Sequence, residues 1–419
     1  MKITYTVIIV LLITILNISF GQKISYTSSF KFIEWDIPNP SDYGLNNTVI
    51  TDVDEAADGR LFLAALRNEG VPASLATVRT KGNLISKKSS GGSLAPYPSL
   101  SWYNNTTDCD NNIINVIRIS IKCNHLFLVD FGIKDGFEGE RVCPSKLLVF
   151  DLENDRLVRR VIIPSNVVDN KNGSGLLVTS IVDIQDCSCI NNSIIYMADV
   201  ANYGLVIYNG YSNDFCRIES DCMKPTHSNF TINNESVYLE DGILGLTIIS
   251  GDLYFSALAG NKICKIDKST LKKCSKLSNN DANLATKVVG TLSGQTGPIA
   301  SYRNAIFFSN IPETSILCAD TTKKFDPSNS EVIVQDPENL QFISGLKFIS
   351  HKGEKHGRHF LEEKILGVSN RFQHYFNNNY NFSEINFRVF EVDIKEIKKH
   401  THCLNSNHHS HKPGHYYFS

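Results

Sequence analysis

Short runs of β-branched and aromatic residues recur along this chain, separated by loops rich in Asn, Asp, Gly and Ser. The clearest is residues 125–130 (HLFLVD), followed after a loop by residues 147–151 (LLVFD). Compact runs of this composition are buried strands rather than helices. The first run returns at residues 60–65, 193–198, 252–256, 304–308 and 364–368. The six copies start about 50 to 70 residues apart, a spacing that signals a repeat architecture. Each copy is preceded by another apolar run, at 48–53, 113–119, 180–184, 243–248, 298–302 and 343–349. Each is also followed by a partner strand, at 75–78, 147–150, 205–208, 262–266, 315–318 and 387–392. More polar fourth runs come next at 83–87, 156–163, 214–219, 286–292 and 330–334, as befits outer strands that see water. This grammar predicts an all-β fold, a six-bladed β-propeller. The sixth blade lacks a fourth run, while residues 30–37 (FKFIEWDI) alternate apolar and polar without a sheet of their own. The N-terminal strand is therefore expected to pair beside 387–394 and close the ring, removing the open edges of an arc of sheets.

The ends of the chain read differently. Lys2, the unbroken apolar run 7–16 and the small residues Ser19 and Gly21 make residues 1–21 a secretory signal peptide, too short to span a membrane comfortably. Residues 22–403 then form the propeller, and 404–419 a His-rich flexible tail. Together with His400 and His402, that tail either binds a transition metal weakly or is a disordered surface segment. The expected protein is secreted and extracellular, with no membrane partner.

Secretion changes the meaning of the 11 cysteines, which become disulfide candidates before metal ligands or nucleophiles. Cys318 with Cys403 is the natural pair near the seam; Cys109 is expected to join Cys143, and Cys123 either Cys187 or Cys189. An odd count leaves at least one thiol free or linked to another chain. Eight sequons agree with the secretory route: Asn46, Asn104, Asn105, Asn172, Asn191, Asn229, Asn234 and Asn381. The balance of 41 basic against 43 acidic residues leaves no basic face for nucleic acid.

No Gly-x-Ser-x-Gly, His-Glu-x-x-His, phosphate loop or EF-hand pattern occurs, so no cofactor or metal is expected. Asp110, Asp183 and Asp241, near blade starts, either line the channel as metal ligands or cap turns through backbone amides.

Eight stretches follow one another along the chain: 60–78 (RLFLAALRNEGVPASLATV), 96–99 (PYPS), 123–132 (CNHLFLVDFG), 142–164 (VCPSKLLVFDLENDRLVRRVIIP), 198–208 (ADVANYGLVIY), 241–246 (DGILGL), 334–347 (VQDPENLQFISGLK) and 386–388 (NFR). In these stretches and their order the chain resembles the insect Yellow and major royal jelly proteins. It implies a secreted six-bladed propeller, in agreement with the repeat count. Similar family members include cuticle pigmentation factors, nutritional jelly proteins and salivary proteins that capture biogenic amines such as serotonin. Departures mark a divergent member. Cys318-Ala-Asp320 stands where the family has Cys-Trp-Asn, and 350–364 is a longer connection with His351, His356 and His359 where the family has a tight turn. Cys216, Cys222, Cys264 and Cys274 are extra, at separations suggesting further disulfides within hairpins.

Carried over residue by residue, the amine site of the salivary binders falls on Ser344, Asn370 and Phe372. Arg118 takes the place of a polar residue entering the second blade, and Leu244 that of an aromatic in the Asp-Gly-Ile-x-Gly motif. Ser and Asn oxygens accept from an ammonium, and Phe372 offers a π face. Arg118 opposes an ammonium and favours a phenolate or carboxylate. These residues predict a non-enzymatic binder of a small aromatic molecule, of the biogenic-amine or catechol class, at the channel mouth. The competing readings are an enzyme converting catechol-derived pigment precursors, and a structural or nutritional glycoprotein without a ligand. No acid–base pair favours the enzyme, and no low-complexity block favours storage.

Overall fold

Six four-stranded antiparallel sheets follow one another in a computed structural model, which describes residues 24–44, 47–78, 93–169, 174–355 and 358–404. Blade one is Val49–Glu55, Leu61–Leu66, Leu75–Val78 and Leu94–Pro96; blade two is Ile119–Lys122, His125–Asp130, Lys146–Asp151 and Arg156–Ile162. Blade three is Leu177–Asp183, Ile194–Asp199, Gly204–Asn209 and Asp214–Glu219; blade four is Ile243–Ile249, Asp252–Ala257, Lys262–Asp267 and Lys287–Thr291. Blade five is Ile299–Tyr302, Ala305–Asn310, Ser315–Asp320 and Glu331–Gln335. Blade six is Phe342–Lys355, Arg358–Asn370 and Phe387–Asp393, completed by the N-terminal strand Ile24–Phe30. Each inner strand packs beside the next, and the sixth beside the first, so the ring is closed. The protein is a six-bladed β-propeller.

Closure uses a different stretch from the one expected. Ile24–Phe30, not 30–37, pairs with Phe387–Asp393, running from Ile24 opposite Val392 to Phe30 opposite Phe387. An outermost strand is held by ladder hydrogen bonds and needs little burial, so the polar run Ile24-Ser-Tyr-Thr-Ser-Ser-Phe30 suffices. Residues 31–37 instead cross to blade one. There the Leu94 amide donates to the Glu34 carbonyl, the Asp36 amide donates to the Leu94 carbonyl, and the buried Trp35 Nε1 donates to Thr48 Oγ1 at 3.1 Å. Asn386 ties the closure down, its amide donating to the Phe30 carbonyl and its Nδ2 to the Lys31 carbonyl.

Other departures are local. Blade one's fourth strand is Leu94–Pro96; the run 83–87 lies outside the described residues, as do 1–21, Asn46, Asn172, His356 and residues 405–419. The longer connection at 350–364 is not a loop. Its two strands run on, paired from Phe342 opposite Asn370 to Lys355 opposite Arg358.

Five disulfides staple the ring: Cys109–Cys143, Cys123–Cys187, Cys216–Cys274, Cys222–Cys264 and Cys318–Cys403. Cys189 is a free, exposed thiol. The pairs among Cys216, Cys222, Cys264 and Cys274 are not within hairpins. They join the outer strand of blade three and its exit to blade four. Cys318 lies in blade five, and Cys403 follows the helix Ile394–His400 that continues from blade six.

Polar residues of blade one's inner strand stitch it to blade two. Thr51 Oγ1 donates to the Ile117 carbonyl at 2.7 Å. Asp52 Oδ2 accepts from the Ile119 amide at 3.0 Å, and Asp54 Oδ2 from the Ile121 amide at 2.8 Å. Lys347 of blade six bonds Asp52 Oδ2 at 2.9 Å and the Ile119 carbonyl at 2.7 Å, so one ammonium spans three blades. Burial pushes the Asp54 carboxyl up to about 6, against the pull of Lys347.

Two outcomes follow. Cys403→Ser should lower unfolding free energy by about 2–4 kcal/mol in non-reducing denaturant titration, because the 85-residue loop to Cys318 is then open in the unfolded chain. An unchanged midpoint would mean that the link does not constrain the native ring. Asp54 binds its proton more tightly folded (about 6) than unfolded (3.8), so its contribution to stability is greatest below pH 3.8 and falls as pH rises towards 6. The stability difference between wild type and Asp54→Asn should decline across that window; a flat difference would show that burial does not perturb this carboxyl.

Candidate functional site

At one end of the ring the inner strands begin, and four of them carry an inserted residue close to that mouth. Register shifts place Thr51 in blade one, Val178 in blade three, Leu244 in blade four and Ser344 in blade six outside regular pairing. An insertion of this kind bends the strand and re-aims a side chain. Two of the four, Leu244 and Ser344, are residues singled out from the sequence.

The second strands end at the same mouth, in Asp130, Asp199, Asn310 and Asn370 for blades two, three, five and six. Asp130 and Asp199 satisfy amides of the entering segments, which a buried loop requires, whereas Asn310 accepts from the Glu313 amide of its own turn at 3.1 Å. Asp130 accepts from the Ile114 and Asn115 amides at 2.8 and 2.9 Å and lies 3.3 Å from the fully buried Lys146 ammonium. Asp199 accepts from the Leu176 amide at 2.9 Å and from Arg217 at 2.7 Å.

Asn370 has the same position but a different use. Its Nδ2 donates to the Ile50 carbonyl at 2.8 Å and to Ser344 Oγ at 3.0 Å, joining blade six to blade one. Its Oδ1 is buried with no hydrogen-bond donor. Antiparallel pairing of Phe342–Lys355 with Arg358–Asn370 explains how residues 26 apart in sequence meet.

Phe372 opens the short helix Phe372–Phe376 and is half-buried, its ring 5.0 Å from Phe342, 5.6 Å from Tyr375 and 6.4 Å from Phe376. That helix is held by Gln373 Nε2 donating to Gln341 Oε1 at 2.6 Å, by an ion pair of Arg371 with Glu384, and by Tyr375 donating to Asn68 at 2.9 Å. Arg118 precedes blade two's inner strand, and its nearest carboxylate is Asp52 Oδ1 at 3.9 Å. That oxygen lies against blade six, since a Cβ on Gly345 would sit only 2.6 Å from it. Ser344 and Asn370 thus touch directly, Arg118 approaches them through Asp52 beside Gly345, and Phe372 connects through Phe342. Leu244 is buried in one apolar cluster with Val178 and Val200, the same cluster that holds Phe342 and has Phe372 packed against it. Ser344 and Arg118 are 5% exposed, Asn370 2% and Leu244 7%, so the mouth is closed.

The cover is an element that the sequence reading overlooked. A hairpin, Asn229–Ile232 and Glu235–Tyr238, leaves the connection between blades three and four. It buries Phe230, Ile232 and Val237 in the mouth cluster and turns its Asn and Thr side chains outward. Asn377, just after the Phe372 helix, donates to Glu235 at 3.0 Å, and Asn233 donates to the Pro337 carbonyl at 2.9 Å. The signal was present. Phe230, Ile232 and Val237 alternate with polar residues around Asn233-Asn234, both at positive φ (49° and 69°) as a tight hairpin turn requires. Asp52 and Lys347 were overlooked too, because 48–53 and 343–349 were read as apolar runs.

The three carboxylates considered for a metal do not converge. Asp110 pairs with Arg160, Asp183 with Lys268, and Asp241 has no side-chain partner, its carboxyl pushed up to about 7 by burial alone. Among the described residues no group of three His, Cys, Asp or Glu side chains could hold a metal ion. A surface cleft lined by Asp221, Lys224, Asn261 and Asn283 lies on the flank of blade four and shares no residue with the mouth.

Residues 114–403 match the family described as major royal jelly protein. Major royal jelly protein 9 of Apis mellifera is 34% identical over 375 residues, 87% of this chain and 84% of its own length. Major royal jelly protein 8 of the same bee is 30% identical over 412 residues, 93% of this chain and 94% of its own length. A solved luciferin-regenerating enzyme superposes with a TM-score of 0.46 at 10% identity, over 89% of this chain and 95% of that one, a likeness too weak to bear on activity. Matches of this length in both directions leave one assignment: the chain belongs to the major royal jelly protein family.

Proposed function

We propose that this protein is a secreted glycoprotein that binds a small aromatic ligand at the channel mouth, without turning it over. The observation that carries this reading is Asn370. Its amide hydrogens are spent on Ile50 and Ser344, and its oxygen is left buried without a donor two residues from the exposed edge of an aromatic cluster. An unpaired buried acceptor costs about 1–3 kcal/mol, which a ligand N–H or O–H would recover. The half-buried Phe372 ring, two residues on and packed on Phe342, supplies a flat apolar partner for an aryl group. Aryl-ethylamines and catechols combine these two features. Since the polar residues are closed off, entry requires the hairpin or the Phe372 helix to part from the mouth.

Secretion is supported by five disulfides, which persist in oxidising compartments. Asn104, Asn105, Asn191, Asn229, Asn234 and Asn381 are all exposed, as glycan acceptors must be.

Calorimetric titration with serotonin, dopamine and catechol, followed by an assay for turnover of whichever binds, tests the reading. Phe372→Ala should weaken a bound aromatic by roughly 1–3 kcal/mol, as truncation of a binding anchor does. Unchanged affinity would place the pocket elsewhere, and conversion of the bound ligand would favour an enzyme. In protein recovered from the medium of insect cells, N-glycan removal should lower the mass, and Asn229→Gln with Asn234→Gln should each remove one glycan. A mass indifferent to deglycosylation would count against the secretory assignment.

A further inference from the structure

We infer that the ligand of the channel mouth carries a carboxylate, received by Arg118; this rests on the aromatic-binding reading of the same site. The guanidinium of Arg118 is buried, yet it donates no hydrogen bond to any described residue, and its Nε is closed off without an acceptor. Its only ionic neighbour among the described residues, Asp52 Oδ1, stands at 3.9 Å, beyond hydrogen-bonding distance. A guanidinium has five N–H donors and keeps its charge at any physiological pH, so this is an expensive group to bury unsatisfied.

Other shielded arginines of the same chain are treated differently. Arg67 donates to the carbonyls of Tyr103 at 2.8 Å and Val71 at 3.2 Å. Arg217 bonds Asp199 at 2.7 Å, Glu219 at 3.2 Å and the Asn202 carbonyl at 3.0 Å. Arg141 bonds the carbonyls of Phe131 and Gly175 and the Ser145 hydroxyl. The likewise buried Arg371 also has an Nε without an acceptor, but it pairs with Glu384, and Arg388 donates to the Ile385 carbonyl at 3.3 Å; of the three, Arg118 alone donates to no described residue, and it stands at the mouth.

Asp52 faces it through Oδ1, which is itself buried without a hydrogen-bond donor, but at a distance that leaves the pair unbonded. That carboxylate is engaged through Oδ2 by Lys347 at 2.9 Å and by the Ile119 amide at 3.0 Å. Two cations therefore share it, and Arg118 holds the weaker claim. A carboxylate answers the planar fork of a guanidinium with two parallel hydrogen bonds. A single negative charge suits the site better than a dianion, because Asp52 lies close by and opposes further charge.

The rest of the mouth orients such a ligand. Thr51, Asp52, Arg118, Ser344 and Asn370 make one side polar, in blades one, two and six. Blades three and four contribute the inserted Val178 and Leu244, and the hairpin contributes Phe230 and Val237, all buried and apolar. An aromatic acid sits across the mouth with its carboxylate towards blade two. A protonated amine of the same size would set its charge against that of Arg118.

The test uses three ligands that share an indole ring and differ in charge: indole-3-acetate, indole-3-acetamide and tryptamine. Binding of each to the intact glycoprotein is measured by calorimetry. Wild type should hold indole-3-acetate at least tenfold more tightly than either of the others. Arg118→Gln should abolish that preference while leaving the acetamide within about threefold; Arg118→Lys, which keeps the charge without the fork, should retain part of it. If wild type binds tryptamine or the acetamide as tightly as the acid, the carboxylate assignment falls and the aromatic reading survives. If none of the three binds but catechol or dopamine does, the carboxylate assignment falls alone; if none of these aromatics binds, the aromatic reading falls and takes this inference with it.

Discussion

Everything at the mouth depends on the two ends of the chain sharing one sheet. Pairing of Ile24–Phe30 with Phe387–Asp393 fixes the circumference of the ring and brings blade six against blade one. Without that contact Asn370 could not reach the Ile50 carbonyl, and Lys347 could not reach Asp52. The polar constellation is assembled across the seam between blades six, one and two, the place where the circle is completed by residues more than 300 positions apart. Open-ended sheets would expose two unpaired edges as well as disperse the site.

What could be read from the sequence divides along a physical line. The second strands are buried on both faces, so they appear as dense apolar runs, and their six copies give the blade count. Groups at the periphery are weakly encoded. The closing strand Ile24–Phe30 is polar because its backbone does the holding, and attention passes to the more conspicuous 30–37, whose alternation serves a crossing beneath blade one. Blade one's fourth strand has only three residues, Leu94–Pro96, too few for a period to show. The cysteines at 216, 222, 264 and 274 look local by spacing, yet they link blades, because consecutive blades lie side by side whatever the length of chain between them.

The site was legible in proportion to how local its contacts are. Ser344 and Asn370 sit near the paired ends of one hairpin, so antiparallel geometry alone brings them together. Arg118 is different. Its surroundings are set by Asp52 and Gly345, which come from two other blades, and no spacing along the chain announces that its donors go unused. Polar residues inside otherwise apolar runs, Thr51 and Asp52 in 48–53 above all, are the available clue.

The inserted residues at the mouth have a consequence for how such a protein changes over generations. Thr51, Val178, Leu244 and Ser344 stand outside the two-residue alternation of their ladders, so strand register does not dictate what they are, although Thr51 and Ser344 bond neighbouring segments and Val178 and Leu244 pack in the apolar cluster. Substitution at these four points alters the chemistry facing the channel and leaves the strand pairing around it intact. A lineage can therefore change what the mouth presents while the pairing that closes the ring stays as it is.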